Sequence, residues 1–192
     1  MNPRITPVSE PYQPATIGLL HKMTPPGSPT LALFTTLARN IALADAVHGL
    51  GSYQLSRKLS LSLRDREIVI NRTCVRCGCE YQWGVHVTHF AARAELTVEQ
   101  TRSLPVGASS DPCWTSERDR VLIDVVDALC LGHDVDEALW ARASTELDAP
   151  QLLDAMVLCG WYHAVCFVAT ATRLKPEPGA ARFAAFLQGD PV

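Results

Sequence analysis

From residue 29 onward, apolar residues recur every three or four positions and strand-like alternation is nearly absent, which predicts an all-α fold. The periodic stretches predict helices at 29 to 39, 41 to 56, 63 to 76, 79 to 94, 97 to 103, 116 to 131, 135 to 146 and 150 to 174, the last being the longest. Ser28 followed by Pro29 opens the first, with Leu31, Phe34, Leu37 and Ala38 as its apolar stripe. Ser62 with Asp65, Thr97 with Gln100 and Asp134 with Glu137 have capping-box spacing, in which each side chain satisfies a backbone donor that a helix start leaves unpaired. Residues 1 to 28 carry many prolines and no sustained period, so they read as an irregular arm. A single helical-bundle domain at 29 to 187 follows, and chemistry is expected there and not in the arm.

Two stretches look alike. "SLRDREIVINRTC" and "SERDRVLIDVVDALC" each set a charged, capped first turn before an apolar helix that ends near a cysteine. The pattern allows an internal helical duplication, whose two copies would pack as a bundle.

Composition narrows the partners. A chain of 192 residues is long enough for one domain with a substantial core. Its 17 basic and 20 acidic residues form no long run of either sign, which argues against nucleic acid and favours a small-molecule substrate. Seven cysteines, an odd number, behind the start "MNPRITPVSE" with no apolar leader read as reduced thiols in the cytoplasm. The uncharged stretch "AMVLCGWYHAVCFVATAT" approaches bilayer-spanning length. Gly160, His163 and the threonines dilute it, and a central helix buried on all sides has the same composition, so no membrane association is expected.

The candidate chemistry lies in "GCEYQWGVHVTHF". Gly78 breaks the helical pattern and leaves Cys79 in the first turn of the next helix, where unpaired amide hydrogens and the helix dipole favour the thiolate, the nucleophilic form. At ~100° per residue, Gln82 or Trp83, then His86, then His89 or Phe90 follow Cys79 along one stripe. Two turns separate Cys79 from His86 by about 11 Å, so a proton would pass through Gln82, Tyr81 or water. Glu67, one helix earlier, can fold back across the Gly78 break and orient His86.

The order Glu67, eleven residues, Cys79, Tyr81, Gln82, three residues, His86 resembles the carboxymuconolactone decarboxylase and alkylhydroperoxidase D superfamily. "LRDREIVINRT" before and "EYQWGVHVTHFAARAELTVEQ" after extend the resemblance, and so do "LFTTLARNIALADAVHGLGSYQL" and "APQLLDAMVLCGWYHAVCFVATATRL", so that it covers roughly residues 30 to 185. It implies a compact all-α fold, homo-oligomers and catalysis without a cofactor or metal. Carried over residue by residue, Glu67, Cys79 and His86 take the catalytic positions. The second cysteine of the peroxidase branch falls on Gln82, which cannot resolve a sulfenic acid.

Three functions follow as expectations. The first is an antioxidant peroxidase of the peroxiredoxin type, in which Cys79 attacks a hydroperoxide, His86 manages the proton, Glu67 positions it, and Cys77 or an external thiol reductant completes turnover. The second is a cofactor-free decarboxylase or isomerase of a lactone or ring-cleavage acid, in which His86 and Glu67 shuttle protons. The third is a non-enzymatic oligomeric binding protein. Trp83, His89 and Phe90 are expected as pocket walls. Cys74 and Cys77 face away from Cys79, rotated by about 140° on a continuous helix. A zinc set of Cys74, Cys77, His86 and His89 has spacing too short for a standard finger. Cys113, Cys130, Cys159 and Cys166 read as core or loop thiols.

Overall fold

The computed structural model describes residues 2–187, and among these it contains helices and no strand. The helices are α1 (Pro14–Met23), α2 (Ala32–Leu37), α3 (Ile41–Gln54), α4 (Leu63–Arg76), α5 (Glu80–Phe90), α6 (Val98–Val106), α7 (Glu117–Gly132), α8 (Glu137–Glu146), α9 (Ala149–Ala171) and α10 (Phe183–Leu187).

Helix α4 is the centre of the bundle, and α5, α7 and α9 pack around it. Ile68, Val69 and Ile70 on its middle turn are fully buried, each contributing about 2 kcal/mol by removal from water. A helix enclosed this way can carry buried charge only if each charge is paired. Arg72 accordingly bonds Asp127 of α7 at 2.7 Å through both Nε and Nη2, and Asp127 is also held by Arg76. Both arginines keep the Asp127 carboxyl below its ordinary range, against the opposing effect of its burial.

The two look-alike stretches become α4 and α7, and their charged first turns interlock. Arg64 bonds Asp119 at 2.7 Å, while Arg118 bonds Asp65 at 2.9 Å. Corresponding residues therefore exchange partners, as two copies related by a local two-fold axis would.

The capping boxes expected at Ser62 and Thr97 are present, with Asp65 and Gln100 reaching back to the cap backbone. Other starts differ. Helix α8 is capped by Asp136, whose side chain accepts from the Leu139 amide, so Asp134 lies outside it. The α2 helix begins at Ala32, beyond Ser28 and Pro29, because Tyr81 and Glu177 accept the Leu33 and Ala32 amides and satisfy its first turn. The arm is not irregular throughout. Pro14 at the first helical position starts α1, which lies on α3 and buries Leu19 and Leu20. The unexpected α10 carries Phe183 and Phe186 onto Trp83.

Helix α9 is long and apolar enough to cross a membrane, with half of its most apolar window buried inside the fold. It is not enclosed on every side, as its composition had suggested. Leu153, Val157, Gly160, Ala164 and Phe167 form an exposed stripe with alternating four- and three-residue spacing.

Candidate active site

Gly78 takes a left-handed backbone at φ 61°, where a side chain would be strained, and this turns the chain from α4 into α5. The turn brings two carboxylate-to-imidazole partners together across adjacent helices. Glu67, fully buried on α4, accepts from Nδ1 of His86 on α5 at 2.8 Å through one oxygen. Its other oxygen accepts Nε and Nη2 of Arg66 at 3.0 and 2.9 Å.

With its charge balanced by Arg66, Glu67 holds His86 as the Nδ1–H tautomer, leaving Nε2 free to accept. Tyr162 of α9 donates its phenolic hydrogen there at 2.9 Å. Burial first, and then the Glu67 charge, raise the Tyr162 hydroxyl well above its ordinary range, so it remains a donor. The result is a buried chain from Arg66 through Glu67 and His86 to Tyr162. Phe90 supports it, stacking on His86 with ring centroids 5.3 Å apart beneath the guanidinium of Arg66 at 5.2 Å.

His86 and Tyr162 end this chain at the wall of a cavity of about 510 Å³. Gln82, His89, Phe90 and Arg93 line it from the α5 side, and Trp161 and Val165 from α9. The opposite wall comes from α3, with Val47 and His48, and from the arm and α2, which include Lys22, Met23 and Phe34. Four cationic or imidazole side chains besides His86 line this space, and among the described residues no carboxylate does.

Cys79 occupies a different neighbourhood. It is the N-cap of α5 and only 2% exposed, and it does not line the cavity. Its thiol is pulled down to about 6 first by the neighbouring Cys166 thiol, and further by the amides of Gln82 and Tyr81 and the Thr170 hydroxyl, against the opposing effect of burial. Cys166 donates its thiol hydrogen to Cys74 at 3.8 Å and also stands near Cys77, so four thiols gather where α4, α5 and α9 meet. Burial raises the Cys74 thiol.

The sequence matches no protein-family model, and no curated protein matches it. Solved structures do. An uncharacterised peroxidase-related protein from Silicibacter sp. TM1040 superimposes with TM-score 0.75 at 17% identity, covering 95% of this chain and 97% of that one. A protein of unknown function from Agrobacterium tumefaciens, proposed to be the antioxidant defence protein AhpD, gives 0.66 at 17% identity over 73% of this chain and 94% of its own. A variant of the debrominase Bmp8 in complex with 2,3,4-tribromopyrrole gives 0.73 at 15% identity, with 97% of each chain covered. The chain has the AhpD-like fold.

Within the AhpD-like fold, the residues expected from sequence divide between the two neighbourhoods. Glu67 and His86 meet, and Gln82, His89 and Phe90 join His86 at the cavity. Cys79 and Cys77 belong to the thiol group with Cys74, so Cys74 and Cys77 do not face away from Cys79 as expected: the rotation of about 140° holds only on a continuous helix, and Gly78 interrupts it. Trp83 is fully buried against α10 and not at the cavity, because the stripe drifts as it rises and position 83 falls on the opposite flank of α5 from Gln82. Tyr81 also faces away, accepting from the Leu33 amide and donating to Glu177. The zinc set comes apart, since its thiols lie in the thiol group and its imidazoles at the cavity. Sequence reasoning missed Arg66, Tyr162 and Cys166. Tyr162 and Cys166 sit one turn apart on α9, a spacing visible in the sequence, but no local signal aims them at α5.

Proposed function

We propose that this AhpD-like chain is an enzyme that carries out cofactor-free proton transfer on a small, largely apolar carboxylate, as a decarboxylase or isomerase of a lactone or ring-cleavage acid. One observation carries the reading. His86 and Tyr162 present a proton path to a cavity whose walls are apolar apart from cationic and neutral polar groups, with Lys22, His48, His89 and Arg93 available to an anion. In an isomerisation, a substrate carbon gives its proton to the Tyr162 oxygen as the Tyr162 hydrogen passes to Nε2 of His86. Glu67 holds the imidazolium, and the reverse passage returns a proton to another carbon. In a decarboxylation, CO2 leaves without the bonding electrons, the carbon takes a proton from Tyr162, and solvent returns a proton to the Tyr162 oxygen.

The test is turnover of lactone and ring-cleavage carboxylates followed by ultraviolet absorbance, comparing the parent with His86→Ala. Turnover lost in the variant supports the reading. Turnover that is undiminished, or absent from the parent across such substrates, overturns it.

A second reading, a thiol peroxidase, is favoured by the lowered Cys79 thiol and the neighbouring Cys166 thiol. The Cys79 thiolate would attack the terminal oxygen of a hydroperoxide, releasing an alcohol and forming a sulfenic acid. Cys166 would displace water to form a disulfide, and an external dithiol would reduce it. Its test is hydroperoxide consumption with such a dithiol, lost in Cys79→Ser.

We also propose a homo-oligomer in which the exposed α9 stripe packs against a second copy. Its four-three spacing suits a helix seam, and Gly160 and Ala164 allow close approach. All seven cysteines are free thiols, which supports a reducing, cytoplasmic setting.

A further inference from the structure

We propose a second site, separate from the cavity, in which Cys130, Cys159 and His163 bind a borderline-soft divalent cation of the zinc type. The three donor atoms lie within 4.8 Å of one another. Cys159 and His163 are four residues apart on α9 and so share a face, and Cys130 approaches from the last turns of α7. None of the three lines the cavity.

The donor set suits such an ion. Two thiolates and a neutral imidazole cancel a double positive charge, which matters where Cys159 is only 2% exposed. Zinc bonds of ~2.3 Å to sulfur and ~2.1 Å to nitrogen place tetrahedral ligand atoms about 3.5 to 3.8 Å apart, so each donor needs to move by less than about 1 Å. The Thr73 hydroxyl, which donates to the Val69 carbonyl at 2.7 Å, stands near the Cys159 sulfur and gives it an outer neighbour. His163 Nδ1 lies 4.0 Å from the Cys159 sulfur and 3.3 Å from the carbonyl oxygen of the same residue, a long contact that a metal bond would replace. Cys130 and His163 are half-buried, so an ion and a water ligand can reach the fourth position from solvent.

The test is titration of the reduced, full-length protein with cobalt(II), read by thiolate-to-cobalt charge-transfer absorption, with stoichiometry from native mass spectrometry and displacement by zinc(II). One cobalt per chain is expected, with the band abolished in Cys130→Ser and affinity weakened about tenfold or more in His163→Ala. Both residues are half-buried, and helical circular dichroism checks that the variants fold. Cys113→Ser should leave binding unchanged, as should Cys166→Ser, which probes the thiol group beside Cys79. Absence of the band in the parent, its full retention in Cys130→Ser and His163→Ala, or its loss with Cys166 instead overturns the proposal.

Discussion

Cys79 and His86 stand two turns apart on α5, yet the cysteine belongs to a group of thiols against α9 while the histidine opens onto the cavity beside Tyr162. Proton chemistry and sulfur chemistry are thus separable by substitution. His86→Ala should lower carboxylate turnover by ~10² to 10⁴. Cys79→Ser should change it by less than about threefold, since it removes no group at the cavity. Steady-state kinetics of the two variants checks both.

Tyr162→Phe keeps the ring against His86 and deletes only the hydrogen that Nε2 accepts. The expected result is a loss in kcat of about 10² with KM nearly unchanged, the signature of a group acting in the transition state. Arg93→Ala should do the reverse for a carboxylate substrate, raising KM about tenfold and sparing kcat. Arg93 lines the cavity and stacks on Phe90, but belongs to no part of the proton chain.

The Cys79 thiol is depressed from 9.0 to about 6. Lowering a folded-state value stabilises the fold fully above the unfolded value, and that stabilisation is lost as pH falls through the folded one. The stability gap between the parent and Cys79→Ser should therefore be widest above about pH 9 and should close as pH falls toward about 6. Urea unfolding across this range reads it. A thiolate absorbance step near pH 6 should shrink in Cys79→Ser and keep only the part due to Cys159, which the Cys130 thiol also pulls down to about 6.

Asp119 is nearly buried against Arg64, and Asp65 against Arg118. Asp119→Asn leaves the guanidinium with a neutral partner and should destabilise the fold by about 3 kcal/mol. The double variant Arg64→Met with Asp119→Leu should recover most of that loss, because paired removal leaves no buried charge. Chemical denaturation of both variants checks the difference.

Much of this was legible locally. The apolar period gave every long helix, Ser62 and Thr97 announced their capping boxes, and the Gly78 break with Glu67 and His86 on either side pointed to their meeting. Features decided by distant packing were not legible. Whether Cys79 faces the cavity or the thiols depends on how α9 lies across α5, and nothing within either segment encodes that. Pro14 and the apolar residues of α1 are visible in the sequence, but a ten-residue helix is marginal alone and forms because α3 covers it. The cavity is assembled from four parts of the chain, so Lys22 and His48 carried no sign of a role beside His86.

The exchanged arginine and aspartate partners at the head of α4 and α7 bear on ancestry. A shorter polypeptide with one such helix could dimerise through that same self-complementary contact, and joining two copies end to end would then fuse a ready-made interface into one gene product. At the position in α7 that matches Glu67, the residue is Val121, fully buried and without charge, so α7 offers no carboxylate where α4 holds one for His86.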